Sequence, residues 1–99
     1  MLGRRIDLLS AGAATGAWKH WDSGKLGLFV WGTFDGGTVK LQVSPDKGAT
    51  PLDVTGVSLT ANGYVVVDIP ADTYIRIELS GDSGGAALNA YAVPTSAQA

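Results

Sequence analysis

Ser83 lies in Gly81-Asp82-Ser83-Gly84-Gly85, a stretch where a serine hydroxyl could be the nucleophile of an acyl transfer. That chemistry needs a histidine within hydrogen-bond reach as base and a carboxylate to orient the imidazole. The chain has 1 histidine, His20, inside Trp18-Lys19-His20-Trp21. A zinc ion on His20 would have to complete its shell with carboxylates, because the chain has 0 cysteines. Asp35, Asp46, Asp53, Asp68, Asp72 and Asp82 offer the hard oxygen ligands that calcium takes from loops, although no EF-hand spacing occurs. Trp18, Trp21, Phe29, Trp31, Tyr64, Tyr74 and Tyr91 could form a face on which sugar rings stack.

Most of these candidates have a plainer reading. The Ser83 pentapeptide is the one around the nucleophile of trypsin-like serine proteases, but here the residue that follows is Ala86 instead of that family's proline. His20 lacks the matching surroundings, and 99 residues cannot build that family's paired barrels. The pentapeptide reads as a Gly-rich turn, with Asp and Ser bonding its backbone. The aspartates sit mainly where turns are expected, and no pair of carboxylates is spaced as a glycosidase pair. We expect no catalytic residue, no metal and no cofactor. The aromatics read first as core and interface packing and second as a glycan-binding surface.

Composition narrows the class. Lysines and arginines number 7 against 9 acidic residues, for a net charge of −2. They are scattered, which argues against binding nucleic acid through its phosphates. No apolar run approaches the ~18 residues that span a bilayer. After Arg4 and Arg5 the apolar stretch is broken by Asp7, Ser10 and Gly12, unlike a cleaved signal. Without cysteine there is no disulfide framework, which fits a cytosolic product or an assembly subunit. A 99-residue chain is one domain with a modest core, and gains from a partner subunit.

The elements that must position these residues are strands. The 14 glycines recur between short apolar runs, and no helical stripe is present. Residues 38–44 alternate, with Val39, Leu41 and Val43 inward and Lys40, Gln42 and Ser44 outward. Residues 74–80 do the same through Ile75, Ile77 and Leu79, and residues 64–69 through Val65, Val67 and Ile69. Asn62-Gly63 has the chemistry of a type I′ turn, so 57–61 and 64–69 are expected to form a hairpin. Asp35-Gly36-Gly37, 44–48 and 81–85 are further turns, Pro70 closes a strand, and 86–93 forms the last one. Residues 26–34 break the one-sided rule. Leu28, Val30 and Phe34 take one face while Phe29 and Trp31 take the other, so both faces need cover. The N-terminal segment with Trp18 and Trp21, a neighbouring subunit, or a ligand could supply it.

The pieces Gly-Thr-Phe-Asp-Gly-Gly-Thr-Val-Lys-Leu-Gln-Val-Ser-Pro-Asp (32–46) and Ile-Pro-Ala-Asp-Thr-Tyr-Ile-Arg-Ile-Glu-Leu-Ser-Gly (69–81) resemble small β-sandwich virion proteins of tailed bacteriophages. Lys47 and Asp72 stand where those proteins usually have glycine; the turns survive if Gly48 and an Asp with positive φ supply the backbone. The resemblance implies a non-enzymatic virion subunit made in the host cytoplasm, of the head decoration or cement type. It also implies partners: copies of itself, with a trimer favoured, and a major capsid protein. The expected architecture is all-β, an antiparallel jelly-roll-like sandwich of seven or eight short strands. Residues 1–16 are an arm or first edge strand, 17–94 the sandwich and 95–99 a loose tail. The expected subunit and capsid interface centres on Phe29 and Trp31, helped by Trp18 and Trp21.

Overall fold

The computed structural model describes residues 5–12, 14–22, 24–70 and 72–94. The expected tail at 95–99 lies outside them. Eight strands follow one another: β1 (Ile6–Gly12), β2 (Lys19–Trp21), β3 (Lys25–Thr33), β4 (Thr38–Ser44), β5 (Leu52–Leu59), β6 (Gly63–Asp68), β7 (Thr73–Ser80) and β8 (Ala87–Pro94). They build two four-stranded antiparallel sheets, in the orders β1-β8-β3-β6 and β2-β7-β4-β5.

The order has a simple origin. β4 pairs with β5 as the innermost hairpin, then β3 with β6, β2 with β7 and β1 with β8. The chain is thus one long double ribbon, wrapped so that both of its strands change sheet together at each corner. Pairing of β3 with β8 and of β4 with β7 closes the sheets. This is the jelly roll, an eight-stranded sandwich of two Greek keys. No helix of the described residues is long and apolar enough to cross a membrane.

The wrapping corrects one expected hairpin. β5 and β6 lie in different sheets, so Asn62-Gly63 is a corner of the ribbon, and neither residue has positive φ. Asn62 instead uses its side chain, accepting a hydrogen bond from the Gly32 amide at 2.9 Å and tying the corner to β3. The consecutive positive φ values of a type I′ turn occur at Asp35 (52°) and Gly36 (79°), closed by the Gly37 amide on the Phe34 carbonyl at 2.8 Å. Sequence alone cannot choose between Asn-Gly and Asp-Gly, since both tolerate the conformation.

The innermost hairpin turns at the Ser-Pro-Asp-Lys-Gly stretch. Positive φ falls on Lys47 (61°) and Gly48 (99°), and likewise on Asp72 (65°) in the later piece. Ser44 lies fully inside, and its hydroxyl accepts from the Gly48 amide at 2.8 Å and donates to Asp46 Oδ1 at 2.7 Å. Ser44 and Gln42 were expected in water and are buried; Val43 is only half-buried. The polar pair is affordable because Gln42 accepts from Arg76 Nε at 2.8 Å and donates to Asp53 Oδ1 at 2.9 Å.

The core takes one row from each strand. Leu26, Leu28 and Val30 of β3 meet Leu88, Ala90 and Ala92 of β8 on one side and Val39, Leu41, Ile75 and Ile77 on the other. Trp21 is among the largest of the fully buried side chains, at 1% exposure.

Candidate functional site

The outer face of the β1-β8-β3-β6 sheet carries the candidate site. Strand register puts Asp7 beside Tyr91, Tyr91 beside Phe29, and Phe29 beside Tyr64, one row across all four strands. The three rings stack. Phe29 lies 5.2 Å from Tyr91 at 25° and 5.4 Å from Tyr64 at 19°. The Arg5 guanidinium covers Tyr91 at 4.5 Å and forms an ion pair with Asp7 at 3.3 Å. In the next row Trp31 stands opposite Asn89 and meets Tyr91 edge-on, at 80° and 5.7 Å. On the other side, Gly27 is flanked by Val93 and Val66.

This face is wide and only partly covered. Trp31 is 42% exposed, Val66 51% and Tyr64 65%, whereas Phe29 is half-buried between its two tyrosines. Phe29 and Trp31 are therefore shielded in part by rings of their own chain. Alternation made Phe29 and Trp31 legible as a second apolar face. Tyr64 and Tyr91 were visible only as aromatics, because their adjacency depends on long-range register that no local pattern encodes.

The other two expected site residues are elsewhere. Trp21 points into the core and donates its indole N–H to the Gly24 carbonyl at 2.7 Å. Trp18 belongs with the β2-β7-β4-β5 sheet, beneath the Arg76 guanidinium at 4.6 Å and against Gly48. The N-terminal segment hence does not place Trp18 or Trp21 over Phe29 and Trp31. It runs beside β7, with the Gly16 amide on the Ile77 carbonyl at 3.0 Å before β2 begins. Three residues of alternation in β2 are too few for a pattern to reveal which way Trp21 points.

The polar candidates have structural occupations. Asp35 Oδ2 accepts from the Ser83 amide at 3.0 Å and the Gly85 amide at 2.6 Å, so its carboxylate clamps the Gly81–Gly85 turn. His20 Nε2 pairs with Asp72 Oδ1 at 2.8 Å and its ring meets Tyr74 edge-on. Asp72 precedes β7 and Ser83 follows it, so the eight residues of that strand hold them roughly 25 Å apart. Ser83, His20 and Asp72 form no triad. Asp82 accepts from the Gly84 amide and Asp53 from Gln42. Among the described residues no three His, Asp or Glu side chains converge as metal ligands. A shallow cleft lined by Asp7, Leu8, Leu9, Ser10, Ala17 and Lys19 lies near β1 and β2.

Asp46 is held below the ordinary carboxylate range. Thr50 donates its hydroxyl to Oδ2 at 2.6 Å and its amide to Oδ1 at 2.8 Å, and Ser44 adds a third bond. All three favour the charged form. A carboxylate with depressed pKa stabilises the fold above its unfolded value, about pH 4, and loses that contribution as pH falls through the folded value. NMR titration of the side-chain carboxyl carbons is expected to show Asp46 ionising at lower pH than an unperturbed aspartate, and Thr50→Ala should raise its midpoint. An unchanged midpoint in that variant would remove Thr50 as the main cause.

No family model and no curated protein matches the chain. Among solved structures, hydroxypropylphosphonic acid epoxidase from S. wedmorenis in complex with fosfomycin aligns at 14% identity and TM-score 0.48. The alignment covers 92% of this chain and 41% of that one, so this chain spans about two fifths of the enzyme's length.

Proposed function

We propose that this chain is a non-enzymatic structural subunit of a tailed-phage virion, of the head decoration type, which attaches to the major capsid protein through the Tyr91-Phe29-Tyr64 face. The jelly roll itself serves capsid subunits, lectins and cupins alike, so the fold does not choose among them. The observation that carries the reading is how the rings are turned. Phe29 has both faces covered by tyrosines, and Tyr91 is covered by Phe29 and Arg5. A sugar platform needs ring faces open to solvent, and here most of them are spent on each other. What remains exposed is Tyr64, with Val66 and Trp31 on the same face. Such a surface suits burial against another protein, where Trp and Tyr are enriched.

Attachment by burial adds stability only while the partner is bound, since it favours the folded and docked state by mass action. Trp31, exposed and held edge-on by Tyr91, is the anchor. Shells assembled from the major capsid protein of the same genome should carry the wild-type chain down in sedimentation. Trp31→Ala should weaken that binding by about 2 kcal/mol or more, roughly 30-fold, while leaving the thermal transition of the free protein in place. Failure of the wild-type chain to co-sediment would overturn the capsid reading. A specific saccharide that quenches tryptophan emission would move the face to the glycan-binding alternative.

A further inference from the structure

We infer that the free edge of β6 is a self-association site, at which two copies pair antiparallel and join their β1-β8-β3-β6 sheets into one. β6 is hydrogen-bonded to β3 on one side and to no strand on the other. Its middle, Tyr-Val-Val-Val, is built of strong strand formers, and the strand contains no Lys, Arg or Pro. Its register with β3 runs unbroken from Lys25 opposite Asp68 to Val30 opposite Gly63, and none of its residues has positive φ. A regular apolar edge of this kind is a template for another strand.

The other three edges are protected. β1 is irregular against β8 at two places, has Ala11 at φ 52°, and opens on the Arg5–Asp7 ion pair. β2 has three residues, of which Lys19 and His20 are exposed. β5 slips register against β4 between Lys40 and Gln42 and carries Gly56 at φ 86°. Bulges, brevity and charge are the usual means of blocking edge pairing. Only β6 lacks them.

The occupant is a second copy, because β6 is compatible with itself. An antiparallel pair about a two-fold through Val66 sets Val66 against Val66, and Tyr64 of each copy opposite Asp68 of the other. Neither carboxylate then faces its like, and the side chains of the outer face remain on one side of the joined sheet. Tyr64 ends the ring stack at this edge, stacked on Phe29 and 65% exposed, so a copy placed there covers its open side. A two-fold contact closes at two copies, unlike the trimer implied by the phage resemblance.

Sedimentation velocity of the full chain from 1 to 200 μM is the test (about one decade either side of a 10 μM constant). The expected result is a monomer–dimer equilibrium, with amide exchange in β6 slowing as concentration rises and exchange in β5 unchanged. Val66→Lys places a charge on an exposed position of the edge and should raise the dimer dissociation constant at least tenfold with the near-UV spectrum intact. Trp31→Ala should leave the dimer in place. A monomer throughout, three copies, a dimer indifferent to Val66→Lys, or a dimer lost in Trp31→Ala would each overturn the proposal.

Discussion

Trp21→Ala should lower the stability of the isolated chain by about 3–5 kcal/mol and its thermal midpoint by roughly 12–40 °C. The indole is 1% exposed and fills the sandwich where β2 closes over β7. Removing it deletes a large buried surface and leaves a cavity whose walls are strands, which collapse poorly. It also leaves the Gly24 carbonyl without its 2.7 Å donor. Domains have about 5–15 kcal/mol in all, so a substantial unfolded population is expected near physiological temperature. Trp21→Phe keeps a ring and should lose clearly less. The measurement is calorimetry at a protein concentration low enough to keep the chain monomeric. If Trp21 worked at an interface, as its sequence neighbourhood suggests, Trp21→Ala would change association and spare the monomer's transition.

The contrast between Trp21 and Phe29 shows where the sequence is legible. Phe29 and Trp31 sit in a nine-residue strand whose alternation is long enough to set Leu28 and Val30 on one side and the rings on the other. The same periodicity correctly places Ile75, Ile77 and Leu79 in the core. Trp21 ends a three-residue strand, and Trp18 precedes it in a segment without alternation, so no local pattern fixes either ring. Turn chemistry fared similarly. Asp35-Gly36, Gly48 and Asp72 all adopt the positive φ their sequence allows. Asn62-Gly63 does not, because the ribbon must change sheets there and a tight hairpin would hold β5 and β6 in one sheet. Which turns become hairpins and which become corners is decided by how the whole ribbon wraps. Ser44 and Gln42 mislead for a related reason: their burial depends on Asp46, Arg76 and Asp53, partners supplied by other segments.

A tight backbone constraint lies beside one of these corners, at Gly32. Gly32 lies near the end of β3, opposite Leu88, at φ 131°, in a region that L-residues rarely enter. At that angle a side chain swings out of the strand's own faces and toward β8. A Cβ built there would lie 2.4 Å from the Ala87 carbonyl oxygen and 3.2 Å from the Leu88 Cα. Neither obstacle is the tip of a flexible side chain; both are backbone of a strand paired on each side, with β1 and with β3. Relief would require β3 to straighten, and straightening would pull the Gly32 amide from Asn62 Oδ1. Gly32→Ala is therefore expected to cost roughly 2–5 kcal/mol, combining conformational strain and overpacking. Gly36→Ala provides the comparison. Gly36 also has positive φ, at 79°, but nothing lies within 4 Å of the added methyl, so only the left-handed cost of about 1–2 kcal/mol applies. Urea unfolding of the two variants, read as a shift of midpoint at constant slope, isolates the close approach of β8. Equal losses would mean that β8 yields at Ala87 and that the corner is softer than its hydrogen bonds imply.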